Sequence, residues 1–303
     1  MTHSPQRLRE LLDSHGLAPR RERGQNFVAD PNTVRRIAAL AEIGPDDRVI
    51  EIGPGLGSLT LALAETGADI TAVEVDAGLT AALREVIADG VDAAAITPGR
   101  IRVVHADAMA LDWSSDWTAH YRDPIEDRVD TGTTPGSVSV VANLPYNIAT
   151  PLIADLLDTA PWIDRFVVMI QREVAERLTA DVHSSAYGAI SIKVAYWADA
   201  RIVGHVPASV FIPRPRVDSS LVRIARHRID PDWPEPAPLF DLVRRAFNQR
   251  RKMLRRSLAG IVDDSIFAAA GIDPTQRPQD LDLAAWYALA NAWLAHRSPE
   301  AMP

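Results

Sequence analysis

The stretch NLPY, formed by Asn143, Leu144, Pro145 and Tyr146, combines three groups that suit chemistry on a planar amine. The preceding run, residues 137–141, is short and rich in β-branched valine, as in a buried parallel strand. Pro145 stiffens the turn and keeps Leu144 out of the helical region. The Asn143 side-chain oxygen and a nearby backbone carbonyl can accept both hydrogens of an exocyclic amine. The Tyr146 ring, rather than its hydroxyl, can then stack on the ring that carries this amine. Taken alone, the quartet is equally typical of a strand end followed by a proline turn and a helix.

A glycine-rich turn upstream predicts a second part of the same site. Residues 48–52 form a predicted strand that runs into GPGLGS, where Gly53 and Gly55 let the backbone approach a ligand closely. A dinucleotide-binding fingerprint has its third glycine where Ser58 stands, so a pyrophosphate ligand is disfavoured. The turn can also be an ordinary connection between a strand and a helix.

Two further strand ends carry acids. The predicted strand at 69–73 ends at Glu74, which can accept hydrogen bonds from ribose hydroxyls, while Asp76 is the predicted N-cap of the next helix. The predicted strand at 101–105 is followed by Asp107, which can accept from the amine of an adenine ring. Because the carboxyl ends of parallel strands share one edge of a sheet, we expect these residues to line one crevice.

Composition limits the classes of protein. The 303 residues, 47% hydrophobic, suffice for one large α/β domain and a smaller one. The sequence has neither an apolar run of about 20 residues nor the apolar core of a signal peptide, so we expect a cytoplasmic protein without a membrane partner. It has no cysteine, and its 8 histidines show no metal-ligand spacing. We therefore expect no disulfide and no metal.

Charge is distributed unevenly. The chain carries −8 overall, but residues 201–256 hold thirteen basic and five acidic residues, a net of +8 that leaves −16 elsewhere. This asymmetry predicts a basic face for nucleic acid on an acidic body. The candidate nucleic-acid contacts are Arg214, Arg216, Arg244, Arg245, Arg250, Arg251, Lys252, Arg255 and Arg256.

The pattern of the whole chain predicts several parts. These are an N-terminal basic arm at 1–23 with a short helix at 4–16, an α/β domain at 24–230 with a surface insertion at 112–136, a proline-rich linker at 231–238, and a helical domain at 239–303. The predicted helices of that last domain are 239–248, 250–259, 265–270 and 281–296. A helix is also predicted at 186–198, before strands at 201–206 and 219–225.

The motifs EIGPGLGSLT, VEVD, HADAM, NLPYNIATPL and FIPRPRVDSS follow one another in that order. With them the chain closely resembles the ribosomal RNA adenine dimethyltransferase family, from about Gly24 to Leu258. The resemblance implies S-adenosylmethionine as cofactor. It also implies a Rossmann-like, seven-stranded methyltransferase sheet in an α/β domain, with a small all-helical, RNA-contacting C-terminal domain.

The resemblance also implies roles for individual residues. Asn143 would hold the target amine within the catalytic turn Asn143, Leu144, Pro145 and Tyr146, and the rings of Tyr146 and Phe211 would sandwich the target base. The implied cofactor contacts are Gln25, Asn26, Val28, Gly53, Gly55, Glu74, Asp107, Ala108 and Asn143. The sequence departs from the family at Val28, where a bulkier residue is usual, and in the length of the 112–136 insertion.

The leading hypothesis is dimethylation of adjacent adenines in small-subunit ribosomal RNA, by a monomer acting on an assembling ribosomal particle. A large-subunit RNA methyltransferase that confers macrolide resistance is the nearest alternative, but Leu144 and the full helical domain favour the first. A protein that acts mainly as a binding factor in ribosome assembly is a second alternative. A dinucleotide-dependent dehydrogenase is a distant third, because the third glycine is missing.

Overall fold

The computed structural model describes residues 2–20, 24–97, 99–115 and 136–297. The chain divides into two compact units, one formed by Met1–Ala175 and Arg201–Ala225 and the other by Glu176–Ala200 and Arg226–Pro303. The chain therefore passes between the units three times. No helix in the described ranges has the length and apolar character needed to cross a bilayer.

The strands are mostly the short, β-branched runs expected from the sequence. They are β1 (Phe27–Val28), β2 (Arg48–Ile52), β3 (Asp69–Glu74), β4 (Ile101–His105), β5 (Val138–Asn143), β6 (Arg165–Gln171), β7 (Ala198–Val206), β8 (Phe211–Ile212) and β9 (Ser219–Arg226). Seven form one sheet in the order β4-β3-β2-β5-β6-β9-β7, and β1 pairs with β8 in an antiparallel ribbon. From β4 to β6 the neighbours are parallel, and β9 is antiparallel to β6. The predicted seven-stranded, mostly parallel sheet is confirmed.

The strand order reverses at the centre of this sheet. The chain continues from β2 to β3 and β4 on one side, then returns to place β5 on the other side of β2. A crevice opens at such a switch point, beyond the carboxyl ends of the strands. At this crevice, β2 ends in the glycine turn, and β5 ends at Asn143. The fold therefore brings the two predicted halves of the site together.

Helices connect the strands of this part of the chain. They are α1 (Pro5–Ser14), α2 (Pro31–Ala41), α3 (Ser58–Ala64), α4 (Ala77–Asp92), α5 (Ala149–Thr159) and α6 (Arg172–Leu178). Asp30 caps α2, with Pro31 in the first turn, and Asp76 caps α4 through the amides of Gly78 and Leu79. The cap predicted at Asp76 is confirmed.

The N-terminal residues are attached to the first unit. One face of α1 is buried in a hydrophobic cluster with residues of α3 and α4, through Leu8, Leu11 and Leu12. His3 Nε2 lies 2.9 Å from the Leu56 carbonyl oxygen, and Arg20 forms an ion pair of 3.3 Å with Asp76. The prediction of a separate arm at 1–23 is therefore wrong for the described part, because apolar burial and two polar contacts hold it. Residues 21–23 lie outside the described residues.

The second unit is helical and larger than predicted. Its helices are α7 (Ala189–Trp197), α8 (Pro236–Asn248), α9 (Leu254–Ser257), α10 (Asp264–Ala270) and α11 (Leu283–Arg297). The sequence assigned residues 176–200 to the α/β domain, but Tyr187, Ile192 and Tyr196 belong to the same core as Leu242 and Trp286. Burial of these side chains therefore moves the boundary.

The proposed linker at 231–238 is partly structured. Helix α8 already begins at Pro236, a residue type favoured in the first turn. Within this unit, the Tyr196 hydroxyl donates to the Pro234 carbonyl at 3.0 Å, and the Trp233 ring packs against Tyr196. The interpretation of this segment as a plain linker is wrong, because its aromatic residue is part of the core of the unit.

The predicted helix at 250–259 is shorter in the structure. It is reduced to α9, because the amide of Leu254 donates to the Gln276 carbonyl at 2.7 Å and that of Arg255 to Pro274 at 3.0 Å. These amides are therefore not available to a helix that starts earlier. Most of the insertion at 112–136, including residues 116–135, lies outside the described residues.

Candidate active site

A cleft opens at the carboxyl edge of the first unit's sheet. Counted together with the open solvent at its mouth, the empty space of the cleft is about 920 Å³. All nine residues predicted to contact the cofactor line this one cleft: Gln25, Asn26, Val28, Gly53, Gly55, Glu74, Asp107, Ala108 and Asn143. The fold thus collects residues from separate regions of the sequence.

The glycine turn forms the floor of the cleft only because of its backbone conformation. Gly55 has φ +58°, and a Cβ built on it would lie 2.8 Å from the ring of Phe27. Any other residue there would be strained and would displace that ring. Gly53, at φ +69°, lies beside the ring of Pro145. The turn therefore packs tightly between the N-terminal segment and the NLPY turn.

Glu74 is held rigidly at the end of β3. Its side chain is 4% exposed, Oε2 accepts from the Gly55 amide at 3.1 Å and Oε1 from the Asp76 amide at 2.9 Å. Burial raises the pKa of this carboxyl, and the two amides oppose the shift. Since each carboxylate oxygen has two acceptor positions, the side chain can still accept from ribose hydroxyls.

Asp107 differs from Glu74 in being exposed at the rim of the cleft. Its Oδ1 accepts from the Met109 amide at 2.9 Å, which orients the side chain at the end of β4. Across the described ranges, no group of three or more His, Asp or Glu side chains is arranged to hold a metal ion.

Glu51 also lines the cleft, and it was not among the predicted site residues. It lies in β2, is 1% exposed, and burial raises the pKa of its carboxyl to about 8, with Glu74 adding to the effect. Within the part of the chain that the structure describes, Glu51 Oε2 and the buried Ser58 Oγ have no hydrogen-bond partner. An acid between the β-branched residues Ile50 and Ile52 of β2 was the signal that could have identified it.

Asn143 is fixed by a contact with the N-terminal segment. Its Nδ2 donates to the Asn26 carbonyl at 2.9 Å, so Oδ1 is the side-chain atom left to accept from a target amine. The carbonyl of Pro145, however, accepts from the amides of Ile148 and Ala149, both at 3.2 Å. The nearby backbone carbonyl that was expected to accept the second hydrogen of the amine is therefore not that of Pro145.

The two predicted stacking rings have different surroundings. Tyr146 is half-buried, and its hydroxyl forms a 2.7 Å hydrogen bond with Ser219 Oγ of β9, which the sequence analysis did not anticipate. Phe211 is only 3% exposed and packs in the core with Val28 and Met169. The structure therefore does not bring Phe211 into the cleft, because the pairing of β1 with β8 buries its ring, and its stacking role stays a prediction. Leu144 is also buried.

The predicted basic residues are all exposed. Arg214 and Arg216 are exposed in the first unit, and in the second unit the same holds for Arg244, Arg245, Arg250, Arg251, Lys252, Arg255 and Arg256. Asp241 accepts from Arg244 at 2.6 Å and from Arg245 at 2.7 Å, so one acid offsets part of their charge. Arg250 donates to the Ser185 carbonyl at 3.0 Å.

Comparison with known proteins agrees with this geometry. The family model described as "Ribosomal RNA adenine dimethylase" matches residues 17–294. A "Ribosomal RNA small subunit methyltransferase A" from Cutibacterium acnes is 45% identical over 290 residues, which cover 92% of this chain and 90% of that protein. A protein of the same name from Nocardia farcinica is 42% identical over 296 residues, with 94% of each chain covered.

Solved structures support the fold. A dimethyladenosine transferase from Plasmodium falciparum matches with a TM-score of 0.66 at 21% identity, covering 86% of this chain and 94% of that one. The 23S rRNA methyltransferase ErmE matches with a TM-score of 0.62 at 24% identity, covering 88% and 99%. At these identities the likeness concerns the fold alone. From the family match and the two relatives above 40% identity, this chain belongs to the ribosomal RNA adenine dimethylase family.

Proposed function

We propose that this protein uses S-adenosylmethionine to dimethylate the exocyclic amines of adjacent adenines in small-subunit ribosomal RNA. The observation that carries the proposal is the cleft at the switch point, with Asn143 fixed at its edge by Asn26. We further propose that the protein works in the cytoplasm, as a monomer, on a ribosomal particle that is still assembling.

The cleft suits the cofactor chemically. Its acceptors are the buried Glu74 for ribose hydroxyls and the exposed Asp107 for an adenine amine. Its apolar walls include Ile52 and Ala108, which can contact the adenine ring. Glu51 Oε2, one of the buried acceptors without a partner in the described chain, is the kind of atom that a bound ligand satisfies.

When bound, S-adenosylmethionine supplies a methyl group that its sulfonium already activates. Asn143 therefore does not need to act as a strong base. Its Oδ1 accepts one N–H of the target amine and so turns the nitrogen lone pair toward the interior of the cleft. The amine releases its proton after attack, and the main contribution of the protein is positioning and exclusion of water.

The target base has to leave its stack to reach the strand ends, and this costs a few kcal/mol. We propose that the Tyr146 ring offsets part of this cost by stacking on the base, which is worth about 1–3 kcal/mol. The hydroxyl bond to Ser219 holds the ring in one orientation. For Phe211 to contribute, its ring has to leave the core position that it occupies in this structure.

The exposed cations of the second unit supply sequence-independent affinity for RNA. Phosphate contacts of this kind make binding strongly dependent on salt. We propose that the turn before α9 and α9 itself contribute most, because Arg244 and Arg245 already share Asp241. The residues concerned are Arg250, Arg251, Lys252, Arg255 and Arg256.

The test uses purified protein, labelled S-adenosylmethionine, and ribosomal subunits from cells that lack this activity. We expect dimethyladenosine in small-subunit RNA, detected by mass spectrometry of nuclease fragments, and none in large-subunit RNA. Asn143→Ala protein serves as the inactive control, provided that it still binds cofactor. Methylation of large-subunit RNA alone would favour the alternative substrate, and binding without methylation by the unaltered protein would favour a pure assembly role.

A further inference from the structure

Glu51 is an unusual residue for the centre of a parallel sheet. Its side chain is 1% exposed in β2, yet it reaches the lining of the cleft. Its Oε2 lacks a hydrogen-bond partner among the described residues, as does the Oγ of Ser58, another buried residue of the lining. A buried carboxyl without full pairing is costly unless it is neutral or faces a positive charge. The methyl-transfer step described above uses neither side chain.

We propose that Glu51 forms a proton-exchanging subsite for the positive charge of the cofactor. Its side chain is a neutral acid in the free protein and a carboxylate facing the cation in the complex. The proton leaves to solvent when the cationic ligand binds, and it returns when that ligand departs. This inference rests on the assignment of the cleft to S-adenosylmethionine proposed above.

The surroundings of Glu51 favour the neutral acid in the free protein. Glu74, from the neighbouring β3, is the charged group that acts on Glu51, and it disfavours a second negative charge. From α3, the hydroxyl and amide of Thr60 act in the opposite direction. Strand β5 has no titratable residue, and Arg35 and Arg36 of α2 are exposed. Burial is therefore not offset by a cation of the protein, and the pKa of Glu51 rises to about 8.

The sign of the linkage follows from that shift. Below about pH 8 the free protein holds the Glu51 proton, whereas a bound cation favours the carboxylate and lowers its pKa. Binding then releases up to about one proton near pH 7, and affinity rises by at most about tenfold per pH unit until pH reaches roughly 8. Above this pH the carboxylate exists before binding, so the dependence on pH disappears.

The decisive experiment is calorimetry of S-adenosylmethionine binding at pH 7 in buffers with different ionisation enthalpies. We expect the unaltered protein to release more protons on binding than Glu51→Gln protein does. Protons that the ligand itself releases are measured with both proteins and so cancel in the comparison. Glu65→Gln changes an exposed acid just after α3 and should release as many protons as the unaltered protein. Equal release by the unaltered and Glu51→Gln proteins would overturn the proposal.

Two further measurements separate the possible outcomes. In the ligand-free protein, the Glu51 ¹³Cδ resonance is assigned as the one that disappears in Glu51→Gln, and it should titrate near pH 8. Thr60→Val should move this midpoint upward. A midpoint near 4.5 would contradict the proposal. S-adenosylhomocysteine lacks the sulfonium, so smaller proton release with it assigns the charge to sulfonium, and equal release assigns it to the ligand's ammonium.

Failure of this inference is distinguishable from failure of the site assignment. If Glu74→Gln weakens cofactor binding while Glu51→Gln leaves proton release unchanged, the cleft is the cofactor site and the role of Glu51 is wrong. If neither substitution changes cofactor binding, the cofactor does not bind in this cleft.

Discussion

The hydrogen bond between the Tyr146 hydroxyl and Ser219 predicts that this hydroxyl matters. The sequence alone predicted the opposite. If the ring alone mattered, Tyr146→Phe would be harmless. In the structure the two hydroxyl oxygens lie 2.7 Å apart, Ser219 is fully buried, and Tyr146 is half-buried. Burial raises the pKa of the Tyr146 hydroxyl, so it stays protonated at neutral pH and can take part in this bond.

The expected magnitudes follow from burial. Tyr146→Phe removes the partner of the fully buried Ser219 hydroxyl, which should lower the free energy of unfolding by about 1–3 kcal/mol. Ser219→Ala leaves a half-exposed phenol that water can reach, so the loss should be only about 0.5–1.5 kcal/mol. In the double variant no buried hydroxyl is left without a partner. The two losses should therefore overlap, with a coupling energy of about 1 kcal/mol.

Activity should follow ring orientation. Tyr146→Ala loses the stacking surface, and kcat/KM should fall by about tenfold to a hundredfold. Tyr146→Phe keeps the ring but frees it, and we expect a fall of about twofold to tenfold that Ser219→Ala reproduces. The assays are urea unfolding and methylation of unmethylated small subunits. Tyr187→Phe, which removes a hydroxyl bond to Leu281 within the helical unit, should lower stability without this activity loss.

Additive effects of Tyr146→Phe and Ser219→Ala on stability would show that the hydroxyl pair contributes no coupling. If Tyr146→Phe were as inactive as Tyr146→Ala while Ser219→Ala were fully active, the hydroxyl would have a chemical role. Either result would refute positioning by Ser219.

The remaining predictions concern the cleft and the basic surface. Asn143→Ala should leave cofactor affinity within about threefold by calorimetry yet abolish methyl transfer, because its amide contacts the amine only during reaction; a turnover near the normal rate would exclude that contact. Gly55→Ala should cost roughly 1–3 kcal/mol in urea unfolding, since its Cβ would meet the Phe27 ring at 2.8 Å and φ is +58°; an unchanged stability would mean that the ring moves freely. Replacing four exposed cations with Gln should reduce the salt dependence of RNA binding by roughly 0.7–0.9 units of log–log slope for each phosphate that is no longer neutralised. The reduction should be larger than that from replacing Arg244 and Arg245, which are paired with Asp241; equal effects would contradict this ranking. The four are Arg251, Lys252, Arg255 and Arg256.

The sequence predicted the parts of the fold that depend on local patterns. Short β-branched runs marked β2 to β5, and Asp76 marked the start of α4, because strand burial and capping are decided by neighbouring residues. The cleft was predictable for the same reason. Most of the predicted cofactor contacts lie at or just after the end of a recognisable strand, and parallel strands bring their ends together. Gln25, Asn26 and Val28 were implied by the family resemblance alone.

The features that were missed depend on contacts distant in the sequence. Ser219 is 73 residues from Tyr146, and no local pattern connects them. Helix α9 starts late because Gln276 and Pro274 accept the amides of its first two residues. For Phe211, burial of the ring by the pairing of two-residue strands across a long separation had no local signal, while its stacking role stays a prediction. In each case tertiary contacts override a local preference.

The path of the chain between the two units limits how the protein can be divided. Because the helical unit is formed by Glu176–Ala200 as well as Arg226–Pro303, a chain that ends at Ala225 would keep α7 but lose the helices that cover it. Tyr187, Ile192 and Tyr196 would then become exposed apolar surface, which promotes aggregation. A soluble isolated α/β unit therefore requires excision of both segments and a new connection between Ala175 and Arg201.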